Sequence, residues 1–218
     1  IPLYPHHAMS TTKTTNLEID KIISEEHPTL RAKYIEPFYN DPRYIQALSY
    51  SIKPYLNNLD KLIFSYHGIP ERHLTKGDVV GNHCLKVENC CDVECKSSQN
   101  CYRSNVFTTS KLTANQLELA DNEWMVSFQS RVSIISPAWL RPYTDVEIDK
   151  LGKKGTERIG VVCPSFIADC LETLEEIEMQ ATDSFIESGG KELVYIPCLN
   201  DNPEFINALE SIVEDAVS

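Results

Sequence analysis

The stretch RIGVVCPSFIADCLETLEEI, from Arg158 to Ile177, decides the fold class. It opens as an apolar run at 158–163, turns at Pro164 and continues as a helix rich in carboxylates. A strand that hands over to a helix through such a turn is where an open α/β sheet presents side chains to a crevice. On the helix, Glu172 and Glu176 stand four residues apart, which puts both carboxylates on one face, one above the other. Two carboxylates held that way repel unless a cation or a shared proton lies between them, so the pair suits moving metal ions or protons. Glu175 and Glu178 are expected to point elsewhere, into water. An acidic helix run taken alone is most often a solvated face, so the surrounding chain has to supply the reason to see more.

Working outward, strands and helices alternate, the pattern of an α/β fold with a mostly parallel sheet and helices on both faces. A helix is expected at 16–26, then an extended segment at 31–37 closed by Pro37. Asp41-Pro42 opens a second helix with proline in its first turn. Ile45, Leu48, Ile52 and Leu56 form its apolar stripe, and Pro54 kinks or ends it. The run 61–66 reads as a buried strand that stops at His67-Gly68. Residues 76–104 are polar, cysteine-rich and aperiodic, hence a loop or small insert. A helix near 109–120 leads to a strand at 124–129. Thr144, with Glu147 three residues on, forms a capping box for a helix that stops between Gly152 and Gly155. After the strand at 158–163, the acidic helix runs to Gly189-Gly190. A last strand at 192–197 precedes a helix capped by Asn202-Pro203, with Phe205, Ile206, Leu209 and Ile212 on its apolar face.

A chain of 218 residues can bury a substantial core, as one large or two small domains. A net charge of −12 and a pI near 4.9 argue against nucleic acid and against electrostatic adhesion to anionic lipid. No apolar run reaches the ~18 residues of a membrane-spanning helix, and no secretory signal is seen. The chain holds 8 cysteines. Cys163, Cys170 and Cys198 sit among apolar residues and read as buried structural thiols. Cys84, Cys90, Cys91, Cys95 and Cys101 crowd together with the spacing C-x5-C-C-x3-C-x5-C. That is neither a tandem zinc ribbon nor a ferredoxin run. Such crowding marks a ligand cluster or a disulfide knot.

Further stretches carry a family resemblance: IPLYP at 1–5, SYHGIP at 65–70, FQSR at 128–131, WLRPYTD at 139–145, SGGK at 188–191 and YIPCLN at 195–200. With the acidic helix they stand in the order in which ferrochelatases have them. Over nearly its whole length the chain resembles a ferrochelatase, the enzyme that inserts ferrous iron into a porphyrin. The resemblance implies two Rossmann-like, chelatase-type lobes with parallel sheets around a cleft, the first only partly present. Residues 1–32 are then the remnant of the first lobe. Residues 33–198 form the second lobe, with a Cys-rich insert at about 78–104, and 199–218 form a C-terminal helix packing on the first lobe. The opening motif normally sits about a third of the way into the family, so a preceding segment of on the order of 100 residues is expected.

The same resemblance assigns roles. His67 stands at the carboxyl end of a strand, before a glycine and a proline turn, where an imidazole titrating near neutrality suits proton transfer or metal ligation. It faces Glu172 across the cleft. One of the two accepts pyrrole protons or holds incoming Fe2+, and the other is its partner. Insertion requires two N–H protons to leave and the ion to exchange water for ring nitrogens. A cleft that bends the flat macrocycle exposes those lone pairs. Glu176 continues a row of carboxylates, shortened because Gln180 stands where the family usually has another acid. The family widens this helix into π turns. Trp139 is expected as an aromatic wall, Tyr4 and the run Ser10-Thr11-Thr12 near the cleft, and Arg131 in a structural role. His6 and His7 are given no direct role. The loop 132–138 is longer than the family's and lacks its glycine.

The implied activity is that of a lyase late in haem biosynthesis: insertion of Fe2+ into protoporphyrin IX, giving protohaem and two protons, with no cofactor in the chemistry itself. Coproporphyrin III, another tetrapyrrole, or cobalt or nickel stay open, because affinity trends do not favour iron. So does a non-catalytic metal- or porphyrin-binding fragment. Some ferrochelatases carry a [2Fe–2S] cluster, and the cysteine segment resembles that variant. Its ligands are then Cys84, Cys91, Cys95 and Cys101, with Cys90 interchangeable with Cys91. Zinc (Zn2+) and free thiols stay open, and a cytosolic setting disfavours disulfides. A cytoplasmic protein is expected, with peripheral contact at the inner membrane face suggested by a greasy substrate. Oligomeric state is not encoded.

Overall fold

The computed structural model describes residues 1–132 and 138–218, so most of the loop expected at 132–138 lies outside the described residues. Four strands, β1 (Lys61–His67), β2 (Trp124–Gln129), β3 (Arg158–Val162) and β4 (Glu192–Ile196), form one sheet in the order β2-β1-β3-β4, every pair parallel. In chain order the helices are α1 (Thr14–Glu26), α2 (Pro42–Ile52), α3 (Glu71–Gly77), α4 (Lys96–Gln99), α5 (Tyr102–Gln116) and α6 (Thr144–Lys153). The acidic helix follows as α7 (Leu171–Thr173), a π-helical stretch (Leu174–Ala181) and α8 (Thr182–Glu187), and α9 (Pro203–Val217) ends the chain.

Parallel strands joined by crossover helices are covered on both faces and need apolar side chains on both. β1 meets that demand by alternation. Leu62, Phe64 and Tyr66 enter one core with Tyr44 and Leu48 of α2, Val106 of α5 and Phe205 of α9, whereas Ile63 enters the other with Ile148, Ile159, Ile177 and Phe185. Phe64 is fully buried, so truncation to alanine there costs about 3–5 kcal/mol. Because all strands run the same way, their carboxyl ends meet at one edge, and His67 pairs with Gln129 in register there.

Several expectations change. The capping box does not form: Tyr143 is the N-cap of α6 without a side-chain bond, and Thr144 turns inward to the hydroxyls of Ser65 and Ser127, 2.8 Å from each. Helix α5 starts at Tyr102 rather than near 109, because its buried face is polar and shows no apolar period. Asn105 donates to the carbonyls of Ser98 and Gln99, Thr109 to that of Tyr39, and Ser110 bonds the Tyr66 hydroxyl. Residues 31–37 form no strand. The last helix, expected on the first lobe, packs on α2 of the 33–198 unit through Tyr44–Phe205 and the Arg43–Asp215 ion pair. Its cap is as expected, with Asn202 Oδ1 accepting from the Glu204 and Phe205 amides.

Candidate active site

His67 is the last residue of β1. The next amide, that of Gly68, still donates to the Gln129 carbonyl at 2.8 Å. That continuation needs a glycine, since a Cβ at 68 would lie 2.9 Å from the same oxygen. The ring Nδ1 of His67 lies 2.6 Å from the Gly68 carbonyl. A carbonyl only accepts, so Nδ1 carries the hydrogen and Nε2 keeps its lone pair.

Glu172 enters from β3 through the turn at 163–170. The Cys170 amide donates to Thr173 Oγ1 at 2.9 Å, which caps α7 and sets Glu172 in its first turn. Asp169 ties this turn to the end of β4, accepting from Tyr195 Oη and the Cys198 amide at 2.5 and 2.9 Å and from Asn200 Nδ2 at 2.7 Å. The Cys170 thiol holds the Glu172 carboxyl below the usual carboxylate range, helped by the Glu172 amide and, against partial burial, by the charge of His67. His67 and Glu172 therefore act on each other electrostatically. Both line one cleft of about 600 Å³ together with Trp139, Phe166, Cys170 and Tyr102, and Tyr4, Ser10 and Thr11 border it. Thr12 lies in a neighbouring hollow instead. Trp139 is 8% exposed and its indole N–H has no partner among the described residues, whereas Tyr4 is an exposed ring at the rim.

Glu172 also lines a second cavity, of about 800 Å³, with Glu175, Glu176, Gln180, Asp145 and Arg131. Glu176 is clamped there by Ser130, whose amide and hydroxyl donate to its two carboxylate oxygens at 2.6 and 2.5 Å. Glu175 is exposed, as expected, and also borders this cavity. The π spacing explains it, because residues five apart meet across such a turn, and Gln180 Nε2 donates to Glu175 Oε1 at 3.3 Å. Arg131 pairs with Asp145 at 2.7 Å and lies over the Tyr143 ring, the structural role expected of it.

A family model described as ferrochelatase matches residues 1–217. The chain belongs to the ferrochelatase family. It is 44% identical over 217 residues to the ferrochelatase of Pseudomonas fluorescens strain Pf0-1, covering 99% of this chain and 63% of that one. To that of Pseudomonas entomophila strain L48 it is 46% identical, covering 99% and 64%. To that of Opitutus terrae it is 44% identical, covering 98% and 61%. The chain thus spans about 63% of the length of the ferrochelatases it matches. A solved structure titled SirB from Bacillus subtilis with Fe3+ superposes with a TM-score of 0.64 at 14% identity, covering 99% of this chain and 69% of that one. At that identity the likeness shows a chelatase-type α/β fold. No helix is long and apolar enough to cross a membrane among the described residues.

Gln129 is the residue of the candidate site that spacing did not single out. It is 3% exposed, accepts from Ser65 Oγ at 2.6 Å and Cys163 Sγ at 3.3 Å, and donates to the Glu172 carbonyl at 2.5 Å. It thereby joins the end of β1 to the start of the acidic helix. FQSR held this residue, but only the fold shows which way its amide points. His6 is a core residue: Nε2 lies 3.0 Å from Thr109 Oγ1, the ring meets Tyr66 edge-on, and burial pushes its pKa down to about 3.

The cysteines of the insert fall into two pairs. Cys84 and Cys101 lie near enough to influence each other's thiols, as do Cys90 and Cys91, and all four are free. Arg103 Nη1 donates to Cys91 Sγ at 2.9 Å and reaches Cys90 Sγ at 3.9 Å. Burial pushes the Cys91 thiol up to about 12 against the opposing charge of Arg103. Cys95, also expected as a ligand, is the N-cap of α4, and its amide donates to Ser98 Oγ at 2.9 Å. Asp78 gathers the segment, accepting from the amides of Val80, His83 and Cys84 and from the Ser97 hydroxyl. No three His, Cys, Asp or Glu side chains converge closely enough to hold one metal ion among the described residues.

Proposed function

We propose that the protein inserts Fe2+ into protoporphyrin IX, releasing two protons and forming protohaem. The observation that carries this reading is the shared cleft of about 600 Å³, with His67 and Glu172 on its wall and Trp139, Phe166 and Tyr4 as ring surfaces beside them. Stacked rings exclude water and gain dispersion against a macrocycle. In the neutral ring the Nε2 of His67 accepts pyrrole protons or takes the ion, and Glu172, held ionised chiefly by Cys170, is the partner. Glu176 and Glu175 extend the acidic wall outward from Glu172. Residues 1–32 are read as the remnant of a first lobe, 33–198 as the second and 199–218 as a C-terminal helix that packs on the first lobe as well. An apolar substrate favours peripheral contact with the inner face of a membrane in a cytoplasmic protein.

The test is ferrous-dependent loss of porphyrin fluorescence, measured beside plain porphyrin binding. His67→Ala and Glu172→Gln are each expected to slow turnover by about 10²–10⁴-fold with binding retained. Turnover that survives both changes together removes the mechanism. A preference for coproporphyrin III, or for cobalt or nickel, in the same assay replaces the substrate or the metal but keeps the site.

For the insert we propose a [2Fe–2S] cluster held by Cys84, Cys90, Cys91 and Cys101. Two thiol pairs offer one pair to each iron, the donor set such a cluster uses, whereas one zinc ion needs its ligands in a single shell. Arg103 offsets thiolate charge at the second pair. When bound, the cluster supplies an electron-accepting centre and a cross-link between the loop and α5. An anaerobically purified protein that is colourless, EPR-silent on reduction and holds one equivalent of zinc removes the proposal.

A further inference from the structure

The backbone of His67 is held by side chains from two other elements. Its carbonyl, at the strand end, accepts from Tyr102 Oη at 2.8 Å. Its amide donates to Ser165 Oγ at 3.3 Å, and the Ser165 hydroxyl is itself within bonding reach of the Tyr102 oxygen. The Gly68 amide, the other end of the same peptide unit, donates to the Gln129 carbonyl at 2.8 Å. One peptide plane is therefore pinned at both ends, by Tyr102 and by Gln129. The carbonyl of Gly68 leaves from that plane and meets His67 Nδ1 at 2.6 Å. Tyr102 is 7% exposed, sits edge-on to His6 and lines the cleft.

We infer that Tyr102 is the positioning residue for His67, acting through the His67–Gly68 peptide to hold Nδ1 protonated and leave the Nε2 lone pair facing the substrate. The inference rests on the proposed role of His67 in taking protons or metal. The physical case is a chain of fixed partners. A ring nitrogen carries hydrogen or a lone pair according to what its neighbour requires, and here the neighbour is a carbonyl. That carbonyl is fixed only as well as the peptide before it. Without the phenol, the His67 carbonyl loses its only side-chain donor among the described residues, and the plane is pinned at one end alone. The imidazole then samples both tautomers, and the competent one is diluted.

The experiment uses the full-length gene product with 15N-labelled histidine, the His67 signals being assigned by their loss in His67→Ala. Above the ordinary histidine titration range, the wild type is expected to show one tautomer, hydrogen on Nδ1. Tyr102→Phe keeps the ring and removes only the oxygen. It should show a mixture of tautomers and a kcat lower by about fivefold, the rate equivalent of one ~1 kcal/mol hydrogen bond, with porphyrin KM changed less than about twofold. Replacing Tyr102 by 4-aminophenylalanine restores a donor in place and should restore both tautomer and kcat. This variant tests the inference even if Tyr102→Phe does not fold. A single Nδ1–H tautomer with unchanged kcat in Tyr102→Phe overturns the inference. So does a loss that 4-aminophenylalanine leaves unrepaired, which marks Tyr102 as packing. Full turnover in His67→Ala overturns the proposed role of His67 instead, and the tautomer signal separates the two failures because it needs no turnover.

Discussion

Replacing Gln129 by methionine keeps the volume of a 3% exposed side chain and removes both polar ends. On the oxygen side, Ser65 loses a 2.6 Å partner but keeps Thr144 at 2.8 Å, and Cys163 loses a weak thiol bond of 3.3 Å. On the nitrogen side, the Glu172 carbonyl loses a 2.5 Å donor. Two good buried bonds at about 1 kcal/mol each give a net destabilisation of about 2 kcal/mol, since Ser65 stays satisfied. For a urea slope of about 2–3 kcal/mol/M, that moves the unfolding midpoint down by roughly 0.7–1 M. The functional effect is separate: the start of α7 is no longer tied to the strand ends, and Glu172 drifts from His67. Turnover is expected to fall between about 10- and 100-fold while porphyrin binding is kept. Urea titration by circular dichroism reads the first quantity and the fluorescence assay the second. An unchanged midpoint refutes the bond count. A lowered midpoint with full turnover refutes the claim that Gln129 places Glu172.

The Asp78 carboxyl is held far below the usual range, chiefly by the Ser97 hydroxyl and then by the His83, Cys84 and Gly81 amides. Because its folded pKa is depressed, its contribution is present above the unfolded value of about 3.9 and is lost only as pH falls below it. Limited proteolysis should therefore find residues 79–100 protected down to about pH 4 and opened below. Asp78→Asn should open them at neutral pH, and an unchanged digestion pattern contradicts the role. Cys95→Ser should keep the visible absorption of the anaerobic protein and Cys90→Ser should abolish it. The reverse result restores Cys95 to the ligand set. Thr113 is fully buried in α5 and its hydroxyl has no partner among the described residues. Thr113→Val is thus expected to raise the urea midpoint, by up to about 1 kcal/mol of stability, and a clear loss counts against an unsatisfied hydroxyl there.

The sheet was legible because its signal is apolar and periodic. Each strand is a short buried run, and Leu62-Ile63-Phe64 feeds two cores by alternation. Helix α5 was half hidden because Asn105, Thr109 and Ser110 spend their polarity on buried partners, and a polar buried face looks like a solvated one in sequence. Thr144 misled for a related reason. Its spacing to Glu147 suited a cap, but the stronger offer came from Ser65 and Ser127 across the sheet, contacts that only the fold creates. The π widening leaves no mark in composition, so the pairing of Gln180 with Glu175, five residues apart, is not legible on an α-helical wheel. In the sequence, His67 and Glu172 stand out by type and place, whereas Gln129, Ser130 and Tyr102 hold other groups in position and carry no chemistry of their own to be noticed.

The two cavities that share Glu172 divide the proposed reaction by physical demand. A flat apolar macrocycle needs ring surfaces and little charge, and the smaller cleft offers Trp139, Phe166 and Tyr4. A hydrated dication needs anions that attract it without keeping it, and the larger cavity gathers Asp145, Glu175 and Glu176 beside Glu172. Their affinities are already tempered. Arg131 takes Asp145, Gln180 takes one oxygen of Glu175, and Ser130 occupies both oxygens of Glu176. Each hydrogen bond to a carboxylate withdraws negative charge that a cation would otherwise meet, so this wall concentrates metal more readily than it traps it. Glu172 differs, because its carboxylate borders both cavities and is held ionised chiefly by the Cys170 hydrogen bond. On the proposed reading, an ion drawn to the acidic side gives up water where the least encumbered carboxylate meets an imidazole lone pair, and that place is the wall between the two spaces.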